Sequence, residues 1–184
     1  MAEKFNAKRV GGIRPSQIMY TYGIGATIDL PNFTVIVAGL DDWDETHQST
    51  IREERLIKAV RQDKHVGPQV SQLRGAPWEP ETRNPFDTWA LTGVPVLPFP
   101  RWLRCSRCNI LSTVDSKLFE LEVPASKPHQ ARYVHKCTGK GKPPVALPAR
   151  FVVACNDGHL DEFPWEEYCH KGGKCAGHAL LEVF

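Results

Sequence analysis

Apolar residues along this chain fall in short runs broken by turn residues, and long helical stripes are few. Thr27–Leu30 and Phe33–Ala38 are two such runs on either side of Pro31-Asn32, a pattern that predicts a hairpin. Ahead of them, Pro15 can open a short helix through Tyr20, with Gly23 ending it. Thr50-Ile51-Arg52-Glu53 fits a capping box and predicts a helix to about Gln62, with Ile51, Leu56, Ala59 and Val60 as its inner face. Farther on, Leu118–Val123, Tyr133–His135 and Ala149–Ala154 have the length of strands. Asp161–Tyr168 reads as a short capped helix with Pro164 in its first turn and Gly172-Gly173 as its stop; Phe163, Trp165 and Tyr168 are expected to pack on a nearby sheet. The run Ala179–Phe184 is apolar and needs a partner to bury it, at about 25 cal/mol per Å² left in water. It is therefore expected either to pair into a sheet or to belong to a longer polypeptide.

Proline divides the chain. Twelve of its 15 prolines lie in 77–164, and each fixes φ and removes a donor, so this half is expected to be built from short strands and loops. The organisation expected is an α+β segment over 1–66, a Pro/Trp-rich connection over 67–100, and a zinc-ribbon-like segment with short strands over 101–184. Trp78, Trp89 and Trp102 read as aromatic anchors of the connecting loop. No stretch approaches the ~18 uncharged apolar residues of a membrane helix, and the first residues carry charge where a secretory signal needs an apolar run. A cytoplasmic location is expected, where thiols stay reduced, so six cysteines point to metal before disulfides.

Cys105-Ser106-Arg107-Cys108 is a C-x-x-C knuckle, the spacing at which two thiolates turn onto one tetrahedral zinc ion. Cys137 and Cys155 each close a strand-like stretch, so the expected ligand set is Cys105, Cys108, Cys137 and Cys155. His135, His159, Cys175 and His178 are alternatives, and Cys155, His159, Cys175 and His178 together would make a second site. Cys169 reads as a small buried side chain, with His170 beside it. Two catalytic uses compete: a C-x-x-C redox pair, and Cys155 with His159 as nucleophile and base. The redox motif normally opens a helix after a strand, whereas Pro98 and Pro100 suit a loop-borne knuckle; for the second, no orienting third group is visible.

Lys and Arg outnumber Asp and Glu only 23 to 21, so net charge predicts no polyanion partner; local charge is more informative. Between Glu122 and Asp157 there is no acidic residue, while Lys127, Arg132, Lys136, Lys140, Lys142 and Arg150 lie inside that interval. With Arg104 and Arg107 of the knuckle, the residues Arg132, Lys136, Lys140 and Lys142 are the candidates for contact with DNA phosphates. The competing reading is that these charges solvate a thiolate-rich, anionic metal site. Gly23-Ile24-Gly25 lacks the Gly-Lys-Ser/Thr of a phosphate loop and reads as a tight turn, and Asp41–Glu45 reads as a solvated acidic loop more readily than a Mg²⁺ site. No enzymatic constellation emerges, and a non-catalytic role is expected.

Several phrases also resemble a known family. Ile13-Arg14-Pro15-Ser16-Gln17, Tyr22-Gly23-Ile24-Gly25-Ala26 and Val37-Ala38-Gly39-Leu40-Asp41 resemble the N-terminal region of the DrmB family of DISARM anti-phage defence systems. So does Arg150–Cys155 running into Gly158–Trp165. The resemblance implies a zinc-binding, helicase-associated and non-catalytic subunit that pairs with a helicase-like DrmA subunit in a DNA-binding complex. It implies metal without naming the ligands. The rival class is a structural adaptor whose basic face meets acidic protein, and a thiol-redox enzyme stands third.

Overall fold

The computed structural model describes residues 8–137, 139, 141–173 and 180–184. Among the described residues the fold is mixed α+β, with short antiparallel strands and three short α-helices. Two compact units emerge, one over Ala38–Pro95 and one built from Arg9–Val37 with Val96–Phe184.

The second unit opens with α1 (Pro15–Tyr20), which has proline in its first turn, followed by β1 (Thr27–Asp29) and β2 (Thr34–Val37). The two strands form the expected hairpin, with Ile28 opposite Val35. Gly25 sits at φ +78 just before it, a backbone region open to glycine, and its N–H donates to Val37 O. The Gly23-x-Gly25 phrase thus serves as a turn.

The first unit holds β3 (Thr50–Ile51), α2 (Glu54–Arg61) and β4 (Leu73–Arg74). Here the capping-box expectation is corrected. Thr50 and Ile51 are extended and pair with Arg74 and Leu73, so the helix starts only at Glu54, capped by the Glu53 carboxylate accepting from the Arg55 N–H. No residue of α2 is fully buried, and Leu56 is 47% exposed, so the expected inner face carries little packing. Of the acidic loop, Asp44 accepts from the Thr46 N–H and hydroxyl, and Glu45 pairs with Arg74. His47 lies between two carboxylates: Nδ1 is 2.7 Å from Asp44 Oδ2, and Nε2 is 2.5 Å from Glu79 Oε1.

The hydrogen bond to Asp44 raises the His47 pKa above 6.5 in the folded state, and the charge of Asp44 and Glu79 adds to it. Its contribution is therefore fully present below the unfolded pKa of about 6.5 and is lost as pH rises through the higher folded value. Hydrogen-exchange protection around 44–47 and 78–79 is expected to fall as pH rises above about 6.5, and His47→Asn is expected to remove that slope. A protection profile flat in pH for the parent chain would contradict the assignment.

The second unit resumes as β5 (Val96–Pro98), which pairs with β2 and completes a three-stranded sheet in the order β1-β2-β5. Then come β6 (Trp102–Cys105), β7 (Ile110–Thr113), β8 (Phe119–Glu122), β9 (Arg132–His135), β10 (Val145–Pro148), β11 (Val152–Ala154), β12 (Leu160–Glu162), α3 (Trp165–His170) and β13 (Leu181–Glu182). Six of these make the main sheet, ordered β13-β7-β6-β10-β9-β8, and β11 with β12 forms a separate ribbon. Pro148 is tolerated in the inner strand β10 because it lies opposite Leu103 of β6 and beyond the residues that pair with β9.

Alternation along the strands gives this sheet two inner surfaces. On one, Leu103, Cys105, Ala146, Tyr133 and Phe119 pack with Phe33 and Val35 of the three-stranded sheet. On the other, Leu111 packs with Ala149 and Trp165, bordered by Trp102, Phe163 and Leu181. Asp161 and Glu162 extend β12, so α3 starts at Trp165 and not before Pro164. Phe163 and Trp165 do reach the main sheet, whereas Tyr168 is 69% exposed and touches Phe163 edge-on. The last apolar run pairs through Leu181 with Leu111 of β7.

Candidate metal centre

The metal-ligand candidates gather at one end of the main sheet because of its register. Cys105 ends β6, and Ala146 of β10 lies opposite both Cys105 and Tyr133 of β9. The end of β9 is therefore brought to the level of the knuckle. Past Cys105 the chain turns tightly: the Asn109 N–H donates to Cys105 O at 3.2 Å, and Asn109 takes φ +59. The turn aims the Arg107 N–H at Cys105 Sγ, 3.4 Å away. His135, the last residue of β9, stands edge-on to Phe119, with ring centroids 5.5 Å apart.

Cys105, Cys108, His135 and Cys137 each offer a donor atom, and all four atoms lie within 4.8 Å of one another. Two edges of this group match a zinc tetrahedron. Metal–sulfur bonds of about 2.3 Å place tetrahedral sulfurs about 3.8 Å apart, and a sulfur–nitrogen edge is about 3.5 Å. Cys105 Sγ and Cys137 Sγ are 3.9 Å apart, and Cys108 Sγ lies 3.3 Å from His135 Nδ1. Three thiols and an imidazole at these separations fit one borderline-soft divalent ion.

The thiols respond to one another. Burial pushes Cys105 up, but the N–H groups of Cys108 and Arg107, with His135, outweigh it and bring the thiol down to about 7. Cys137 is pushed up to about 11, by desolvation first and then by the neighbouring Cys105 and Cys108. A cation relieves this repulsion. Metal loading is thus expected to release the Cys137 proton anywhere below about pH 11, together with a Cys105 share that shrinks as pH passes about 7. Affinity should rise with pH between about 6 and 8, and calorimetry in buffers of different ionisation enthalpy counts the protons. A pH-independent affinity would contradict this ligand set.

The structure brings together Cys105, Cys108 and Cys137 of the expected set and gathers His135, one of the alternatives, in the place assigned to Cys155. Cys155 stands with Asp157 and His159 at the β11–β12 ribbon, which is separate from the main sheet. Cys169 is exposed, contrary to the expectation of a buried side chain. Cys175, His178 and Lys140 lie outside the described residues. Of the C-x-x-C pair, Cys105 is buried and Cys108 half-buried.

The basic candidates divide by what holds them. Arg104 donates to Asn109 Oδ1 and Val183 O, Arg132 grips Glu122 through Nε and Nη2, and Lys136 pairs with Glu120. Arg107 and Lys142 are exposed and have no ion pair among the described residues. Sequence reasoning passed over Asp157, although the alternate spacing Cys155-x-Asp157-x-His159 around Gly158 was there to read.

A family model described as a domain of unknown function, DUF8724, matches residues 14–183, which takes in the whole cluster. The chain belongs to that family. It is also similar to a DISARM protein DrmB from Bacillus paralicheniformis, 25% identical over 156 residues that cover 84% of this chain and 23% of that protein. The chain therefore spans less than a quarter of that relative's length. Among the described residues, no helix is long and apolar enough to cross a membrane.

Proposed function

We propose that this chain is a non-catalytic, zinc-stabilised part of a DISARM subunit. In this reading it acts in anti-phage defence within a cytoplasmic complex that engages DNA and pairs with a helicase-like DrmA subunit. The observation that carries the reading is the likeness to DISARM protein DrmB along 84% of the chain. The Cys105, Cys108, His135 and Cys137 cluster supports zinc as the ion, since thiolate-rich tetrahedral donors suit zinc better than magnesium or calcium. When bound, the ion supplies a cross-link between the ends of β6 and β9. In cells carrying a complete system, replacing both Cys105 and Cys108 by Ser is expected to abolish protection against phage. Full protection would sink the reading.

DNA contact in this proposal is made to phosphates by Arg107 and Lys142, two exposed candidates with no ion pair among the described residues. Reversing both (Arg107→Glu with Lys142→Glu) in the assembled complex should weaken binding evenly across sequences and flatten the salt slope by about 2. Unchanged binding removes the patch from the mechanism. The adaptor reading draws on a specific observation: Glu122 and Glu120 already neutralise Arg132 and Lys136. Crosslinking the complex to DNA and mapping the attached peptides separates the two. Peptides around Arg107 and Lys142 that never crosslink favour the adaptor.

A further inference from the structure

We propose that the tip of the β11–β12 ribbon is a second metal site, whose donors are Cys155 Sγ, the Asp157 carboxylate and His159 Nδ1, and whose ligand is a divalent ion of the zinc class. Hairpin geometry builds it. The Cys155 N–H donates to His159 O at 3.1 Å, which extends the pairing one step past Ala154 and Leu160. The Gly158 N–H donates to Cys155 O at 3.1 Å, and Gly158 takes φ +83. This is a three-residue hairpin loop, a type I turn followed by a left-handed residue. It sets Cys155 and His159 directly across from each other, so their side chains leave the same face of the ribbon. Asp157 is at the apex between them.

The donor atoms of the three residues lie within 4.8 Å of one another. Cys155 Sγ is 3.3 Å from His159 Nδ1, close to the ~3.5 Å sulfur–nitrogen edge of a tetrahedral zinc site and equal to the Cys108–His135 edge of the first cluster. Asp157 has no ion pair among the described residues, which leaves its charge available to a cation. One sulfur, one nitrogen and one carboxylate suit zinc or cobalt, whereas magnesium and calcium want oxygen throughout. Burial separates the two sites. Cys105 anchors the first inside the core, while all three donors at the ribbon are exposed, so water completes the coordination and the ion exchanges readily. The site stands on its own side chains and does not depend on the DISARM reading.

The test uses the full chain loaded with zinc chloride. Elemental analysis after equilibrium dialysis against a fixed free zinc concentration is expected to give two ions per chain, falling to one in both Cys155→Ala and His159→Ala while the thermal melt is retained. A second readout covers the case in which either variant folds poorly. Iodoacetamide labelling of Cys155, read at the peptide level, should slow at least tenfold when the second equivalent of zinc is added to the parent chain, and much less in Asp157→Asn. One ion per chain in the parent, two in both variants, or labelling of Cys155 at an unchanged rate with zinc would each overturn the proposal.

Discussion

Cys108→Ala is expected to cost the second unit its folded sheet. The reason is a comparison of magnitudes. The larger core cluster contains eight buried residues, of which two are alanines and one is Cys105 itself, so hydrophobic burial alone is thin. A structural zinc ion contributes about 10–16 kcal/mol at neutral pH, against about 5–15 kcal/mol for the whole net stability of a typical domain. In the proposed zinc centre, losing one of the four donors removes much of that contribution and leaves Cys105 facing Cys137 without a cation between them. The expected result is loss of near-ultraviolet circular dichroism and of Trp102 and Trp165 shielding, with zinc content well below that of the parent. Chelation of the parent chain should reproduce it. A chelated chain that melts at the parent's temperature would remove the ion from the folding account.

Leu103→Ala is expected to destabilise the second unit by about 2–5 kcal/mol, whereas Leu56→Ala stays within about 0.5 kcal/mol. Both leucines sit in apolar runs, yet Leu103 is 1% exposed and packed in the core cluster, while Leu56 on α2 is 47% exposed. Deleting the Leu103 side chain opens a cavity between two sheets whose backbones are held by their own ladders, so little collapse is available to fill it. Urea denaturation followed by tryptophan fluorescence measures the difference. Equal midpoints for the two variants would show that the core has been placed on the wrong residues.

The two expectations also separate what local pattern determines from what it leaves open. The β1–β2 hairpin, the helix behind Pro15 and the strand at Phe119–Glu122 were legible, because a turn residue, a proline at a helix start and alternation are decided within a few residues. The Thr50 capping box failed for the complementary reason. Thr50 and Ile51 are β-branched and suit a strand, but the Arg74 and Leu73 they pair with lie more than twenty residues downstream. Lys136 and Arg132 read as free cations until β8 brought Glu120 and Glu122 alongside them.

By itself the sequence determined the chemistry: a C-x-x-C knuckle, reserve thiols and imidazoles, and a proline-broken half in which strands had to be short. Only the tertiary structure decided the partition of those candidate donors, placing His135 with Cys105, Cys108 and Cys137, and Cys155 with Asp157 and His159. The physical reason is register. Donor type is a property of one residue, but a tetrahedron needs four atoms within a few ångströms, and which strand ends come level is set by hydrogen-bonded pairing between segments far apart in the chain.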